Sequence, residues 1–153
     1  MNNNLKNILK KIKYKFNKIT SFWCAKDHLE VLKTYRLFEL EKALTVSKLN
    51  FNERYNILDF GFGDGFQSTY FKSKKFDVSA IDVEKKKNLI DSDINFLVYD
   101  GKKIPFQNKT FDIIFSSNVL EHVSNLDEIQ SELFRILKDN GTCIHILPSS
   151  YWR

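Results

Sequence analysis

Residues 57 to 65 read ILDFGFGDG. The apolar run carries an acid, Asp59, and glycines then fall at alternate positions, Gly61, Gly63 and Gly65. Glycine admits positive φ and lets a ligand approach the backbone without meeting a Cβ. A tight turn from a strand into a helix, with no ligand at all, would use the same freedom.

Working outward, short apolar runs alternate with helical segments from Tyr55 onward. NILDF reads as a first strand, and DGFQSTYFKSKK as the helix after the glycines. FDVSAID is a second strand, followed by a lysine-rich stretch; INFLVYD is a third and TFDIIFSS a fourth. LDEIQSELFRILKDNG reads as a helix closed by an Asn-Gly C-cap, and TCIHILP as a fifth strand. Strands that are continuously apolar and separated by helices belong to a parallel sheet covered on both faces. With right-handed crossovers, the expected fold class is α/β, a Rossmann-like, doubly wound, mostly parallel sheet. Five strands are present, and two helices precede them. The second of these runs from Asp27 as N-cap to about Ser47.

The 153 residues suffice for one domain with a real core. The net charge of +5 is unevenly placed: residues 1–26 hold seven lysines and no acid, whereas residues 27–153 hold 17 basic and 19 acidic side chains. The expected organisation is therefore a basic helical tail over 1–26 and a near-neutral body over 27–153, which argues against nucleic acid as a partner. In the tail, Leu5, Ile8, Leu9, Ile12, Phe16 and Ile19 recur at helical spacing between lysines. Such a stripe suits packing on the body or a partner, and equally a helix lying on an anionic membrane surface through residues 5–19. With no signal-peptide segment and no membrane-length apolar run, the expected location is the cytoplasm or the inner face of the membrane. Cys24 and Cys143 have no partner motif, and no metal site is expected.

Spacing narrows the ligand. The dinucleotide pattern G-x-G-x-x-G would need its third glycine where this chain has Phe66. Asp59 and Asp64 flank the loop, which disfavours a diphosphate and suits a cationic ligand such as S-adenosylmethionine. The second strand ends in Asp82, 23 residues after Asp59, where a carboxylate can accept from both hydroxyls of a ribose. The third strand ends in Asp100 and Gly101, where an acceptor suits the exocyclic amine of adenine. Each aspartate alone reads equally as a turn residue. Three acids ending three successive strands, at one mouth of the sheet, do not.

From these motifs the sequence resembles a class I S-adenosylmethionine-dependent methyltransferase of the type 11 group. ILDFGFGDG is similar to that family's first motif, and AID to its acidic second-strand end. YDGKKIPFQNKTFDIIFSSNVLEHV resembles its block from the third strand to the fourth, and ELFRILKDNGTCIHILPSS its passage into the fifth. The resemblance covers about residues 55–150. It implies that Asp59, Gly61 and Gly63 form the methionine-side pocket and that Gly65 opens the helix. It further implies that Asp82 holds the ribose, Val83 packs on the adenine, and Asp100 and Gly101 border its ring. Ser117 and Asn118 would lie near the methionine moiety. His122 is a candidate base, but in relatives its block more often begins a supporting helix. No catalytic residue is assigned.

The family sheet ends in an antiparallel hairpin of two further strands, whereas this sequence stops at Arg153, just after the fifth. The expectation is a chain truncated there. The implied cofactor is S-adenosylmethionine, and the implied activity is methyl transfer to a small or medium acceptor; the basic amphipathic tail, with a resemblance of PSSYWR to surface-polysaccharide methyltransferases, points to a sugar or a lipid-linked glycan. An inactive cofactor-binding remnant is the alternative, and a nicotinamide-dependent oxidoreductase ranks third.

Overall fold

The structure, a computed structural model, describes residues 28–47, 49, 53–84 and 94–148. The expected basic helix over 5–19, Cys24, Asp27 and the lysine-rich stretch after the second strand lie outside those residues. Two compact units divide the chain, Met1–Phe38 and Glu39–Arg153. Helix α1, His28–Val46, begins in the first and ends in the second. The sheet belongs to the second.

That unit runs β1 (Asn56–Phe60), α2 (Phe66–Ser73), β2 (Asp77–Asp82), β3 (Asn95–Val98), β4 (Phe111–Ser117), a 3₁₀ turn (Leu120–His122), α3 (Leu126–Ile136) and β5 (Leu137–Ile146). The sheet order is β3-β2-β1-β4-β5, and every pairing is parallel. The chain winds from β1 out to β3, then returns to place β4 on the other side of β1. The order reverses between β1 and β4, and a crevice opens at the carboxyl ends of strands at such a point.

The central strands β1 and β4 are mainly apolar because both their faces are buried. Ile57 and Ile113 enter a cluster with Leu40, Leu44, Phe71 and Phe115. The next residues along the chain, Leu58 and Ile114, enter a second cluster with Ile129, Leu133 and Ile136. The last turns of α1 and helix α2 thus cover one face, and α3 covers the other.

One expectation is corrected. The helix expected to reach an Asn-Gly cap ends at Ile136, and Asp139, Asn140 and Gly141 lie inside β5. Contacts distant in sequence stop it. The N–H groups of Lys109 and Thr110 donate to the carbonyls of Arg135 and Ile136 at 3.0 and 2.8 Å. Leu137 turns to extended backbone and pairs with Phe111. The register then jumps, since Ile113 pairs with Thr142, and the extra residues bulge. Gly141 fits there because a Cβ would lie 2.6 Å from Leu137 Cδ1.

Candidate functional site

The glycine loop leaves β1 at the switch point and enters α2. Gly61, Gly63 and Gly65 have φ of 78°, 56° and 80°, in the left-handed region that favours glycine. The three serve different ends. At Gly61 a Cβ would lie 2.7 Å from Val119 Cγ1, so the segment after β4 closes on that backbone. At Gly63 a Cβ would meet nothing within 4 Å, so the backbone there faces open space. Gly65 takes the N-cap of α2, and its N–H donates to the Phe62 carbonyl at 2.8 Å.

Asp82 ties this loop to β2. Its Oδ2 accepts from the Gly63 N–H at 3.0 Å, and its Oδ1 from the Val83 N–H at 2.7 Å. The carboxylate is thereby held in one orientation, with remaining lone pairs for further donors. Val83 follows with 56% of its surface exposed, and a Cβ on Gly101 would lie 3.5 Å from its Cγ1. The ends of β2 and β3 are therefore adjacent. Asp100 accepts from the N–H groups of Lys102 and Lys103 at 2.9 and 3.1 Å, and these bonds lower its pKa.

Asp59 lies beneath the loop, only 2% exposed. Its Oδ2 accepts from the Ser68 hydroxyl on α2. Burial pushes its pKa up to about 7; the Ser68 hydrogen bond opposes the shift, and the negative charges of Asp82 and Asp64 add to it. Among the described residues no cation pairs with it. Asp64 itself accepts from the Phe66 N–H at 3.2 Å, at the entry to α2.

At the end of β4, Ser117 pairs with Ile146, and Asn118 leaves the strand with φ of 54°. The Asn118 side-chain amide donates to Ser117 Oγ at 3.2 Å. In the 3₁₀ turn, the side chain of His122 is 79% exposed, and its Nε2 lies 3.9 Å from Glu121 Oε1. The other oxygen of Glu121 is buried with no hydrogen-bond partner. Ser116, just beneath, pairs with His145 Nδ1 at 2.7 Å.

The structure thus brings Asp59, Gly61, Gly63, Gly65, Asp82, Val83, Asp100 and Gly101 to the carboxyl ends of β1, β2 and β3, with Ser117 and Asn118 at the end of β4. Two residues that the sequence reading did not single out belong with them: Ser68 under Asp59 and Val119 over Gly61. Only Ser68 had a legible signal, being a small hydroxyl three positions into a helix that must face β1. Among the described residues no group of three or more His, Cys, Asp or Glu is placed to hold a metal, and no helix is long and apolar enough to cross a membrane.

The family described as a methyltransferase domain matches residues 58–145. The ubiquinone biosynthesis O-methyltransferase of Rickettsia typhi is 30% identical over 92% of this chain, and the chain spans 61% of that protein. The sarcosine/dimethylglycine N-methyltransferase of Aphanothece halophytica is 28% identical over 60% of this chain and 37% of its own length. Among solved structures, a SAM dependent methyltransferase from Aquifex aeolicus aligns with a TM-score of 0.57 at 27% identity, covering 80% of this chain and 66% of that one. The chain therefore spans about three-fifths of the first of these relatives.

Proposed function

The chain belongs to the methyltransferase domain family, and from that premise we propose that it binds S-adenosylmethionine at the glycine loop and transfers its methyl group to an oxygen acceptor. The observation that carries the reading is the set of acids Asp59, Asp82 and Asp100, at or just beyond the carboxyl ends of β1, β2 and β3, together with an open glycine backbone at Gly63. The cradle fits this cofactor in its donor and acceptor chemistry. Asp82, oriented by Gly63 and Val83, accepts from the ribose hydroxyls. The exposed Val83 and the bare Gly101 flank the adenine, and Asp100 accepts from its amine. Asp59, Gly61 and Gly63 surround the methionine end, with Ser117 and Asn118 approaching it from β4. The cofactor brings a methyl already activated on a sulfonium, so the protein's own task is chiefly alignment.

For the acceptor we propose a hydroxyl of a quinone precursor, supported by the name of the Rickettsia typhi relative. The sugar or lipid-linked glycan expected from the tail has no counterpart among the relatives described. A hydroxyl acceptor must lose its proton, and the exposed His122 ring beside Glu121 offers a base at the mouth of the site.

Titration calorimetry with S-adenosylhomocysteine, beside Asp82→Ala and with NADH as control, tests the cofactor assignment. Saturable binding that the variant loses supports it. Binding of NADH in place of S-adenosylhomocysteine sinks it.

A further inference from the structure

Asp59 differs from Asp82 and Asp100 in being almost wholly buried, and among the described residues no cation pairs with it. It is enclosed by α2, β2, β4 and the loop. Helix α2 presents the uncharged Ser68 hydroxyl, β4 presents Phe115 beside it in register, and β2 and the loop contribute Asp82 and Asp64. The charges that push on Asp59 from the end of β2 and from the loop are negative. A carboxyl in such surroundings keeps its proton until about neutral pH, because ionising it places a third negative charge in a dry enclosure. The methionine end of S-adenosylmethionine carries an ammonium as well as the sulfonium. A positive charge held by the loop directly above Asp59 reverses the balance and favours the carboxylate.

We propose that Asp59 is a proton-linked specificity residue: seating a cationic ligand on the glycine loop expels its proton, so the affinity for that ligand rises with pH until the carboxyl is already ionised in the free protein. This rests on the cofactor reading given above and deepens it. The Ser68 hydroxyl donates to the carboxyl whether or not the second oxygen is protonated, so the exchange needs no rearrangement of α2. Asp82 and Asp100, held by backbone N–H groups, receive the neutral end of the same ligand.

The test is calorimetric titration of the full chain with S-adenosylmethionine, with no acceptor present, between pH 6 and pH 8.5, in pairs of buffers with different ionisation enthalpies. The slope of the observed heat against buffer enthalpy counts the protons released. The expected result is about 0.8 proton released at pH 6.5, with affinity about tenfold weaker at pH 6 than at pH 8. In Asp59→Asn the same titration should release none of that proton and give a nearly flat affinity profile, with the far-ultraviolet spectrum confirming the fold. Tight binding by the wild type with no proton released overturns the inference while leaving the cofactor assignment standing. So does undiminished proton release in Asp59→Asn, which would assign the proton to another group. Absence of binding at every pH by a folded chain overturns the cofactor assignment and the inference with it.

Discussion

Replacing Asp59 with asparagine should stabilise the protein above neutral pH, although the substitution removes a buried side chain's charge at the heart of the site. Burial moves the Asp59 pKa from the usual 3.8 to about 7. The sign follows from proton counting. Between those values the folded chain holds a proton that the unfolded chain has lost, so unfolding becomes easier as pH rises. Each pH unit in that window removes about 1.4 kcal/mol, or about 4 kcal/mol across the whole of it. The loss is complete once the pH passes the folded pKa. Asparagine is uncharged at every pH and its carbonyl can still accept from the Ser68 hydroxyl.

Urea denaturation at pH 5, 6, 7 and 8 measures this directly. Other carboxyls contribute the opposite slope: Asp77, held low by Arg54, and Asp112, held low by Lys138 against some burial, both lose stability as pH falls. Those contributions are common to wild type and variant, so the difference between the two isolates Asp59. The variant should gain about 2–3 kcal/mol on the wild type between pH 5 and pH 8. If the difference stays constant with pH, Asp59 is already charged at pH 5 and the argument from its burial fails.

Three further substitutions separate the elements of the site. Gly61→Ala meets Val119 and adopts a left-handed φ, so it should lose about 2–4 kcal/mol and bind no S-adenosylhomocysteine. Gly63→Ala meets only the φ penalty of about 1 kcal/mol; it should stay folded by circular dichroism yet bind poorly, because its methyl projects into the open cradle. Val83→Ala trims a side chain that is more than half exposed, so stability should hold within about 0.5 kcal/mol while S-adenosylhomocysteine binding weakens roughly three- to tenfold by calorimetry. Away from the site, Arg135 donates to the carbonyls of Ile104 and Phe106 and pairs with Glu132 at 2.7 Å, fastening the segment before β4 to α3. Arg135→Met should cost about 2–4 kcal/mol in urea denaturation. The Arg135 guanidinium holds the Glu132 pKa down at about 2. Wild type should therefore lose that pair's stabilisation as pH falls from 4.5 toward 2, and the variant should not.

The strands were legible because the physics that makes them is local. Burial on both faces leaves a mainly apolar run, and NILDF shows it in Ile57, Leu58 and Phe60. The end of α3 was not legible for the converse reason. KDNG carries a good local stop signal, but the N–H groups of Lys109 and Thr110 capture the last carbonyls of the helix a few residues earlier. The site divides in the same way. Asp82 ends β2, so reading that strand gave its position, whereas β3 stops at Val98 and Asp100 lies two residues beyond it. That Gly61 lies under Val119, or that Asp59 faces Ser68, depends on how the segment after β4 and helix α2 close over the loop. No spacing in the sequence encodes that approach. Nor does the residue type separate the acids. Asp59 is raised by burial while Asp100 is lowered by two backbone N–H groups, although both are aspartates near the carboxyl ends of strands in one sheet.

The stability and binding effects of Asp59 are two sides of one thermodynamic cycle, and the cycle makes a demand that neither makes alone. If the seated ligand expels the proton, the liganded fold and the unfolded chain hold the same charge at Asp59 from pH 5 to pH 7. The pH slope that this carboxyl imposes on the free protein must then vanish in the saturated one. Urea denaturation repeated with saturating S-adenosylmethionine should accordingly flatten the decline between pH 5 and pH 7, and ligand stabilisation should grow with pH by about 1.4 kcal/mol per unit. In Asp59→Asn that growth should be absent. A ligand that stabilises the wild type equally at pH 5 and pH 7 would mean that Asp59 keeps its proton in both states. The negative charges around the loop would then be balanced elsewhere, and the cationic end of the ligand would lie away from β1.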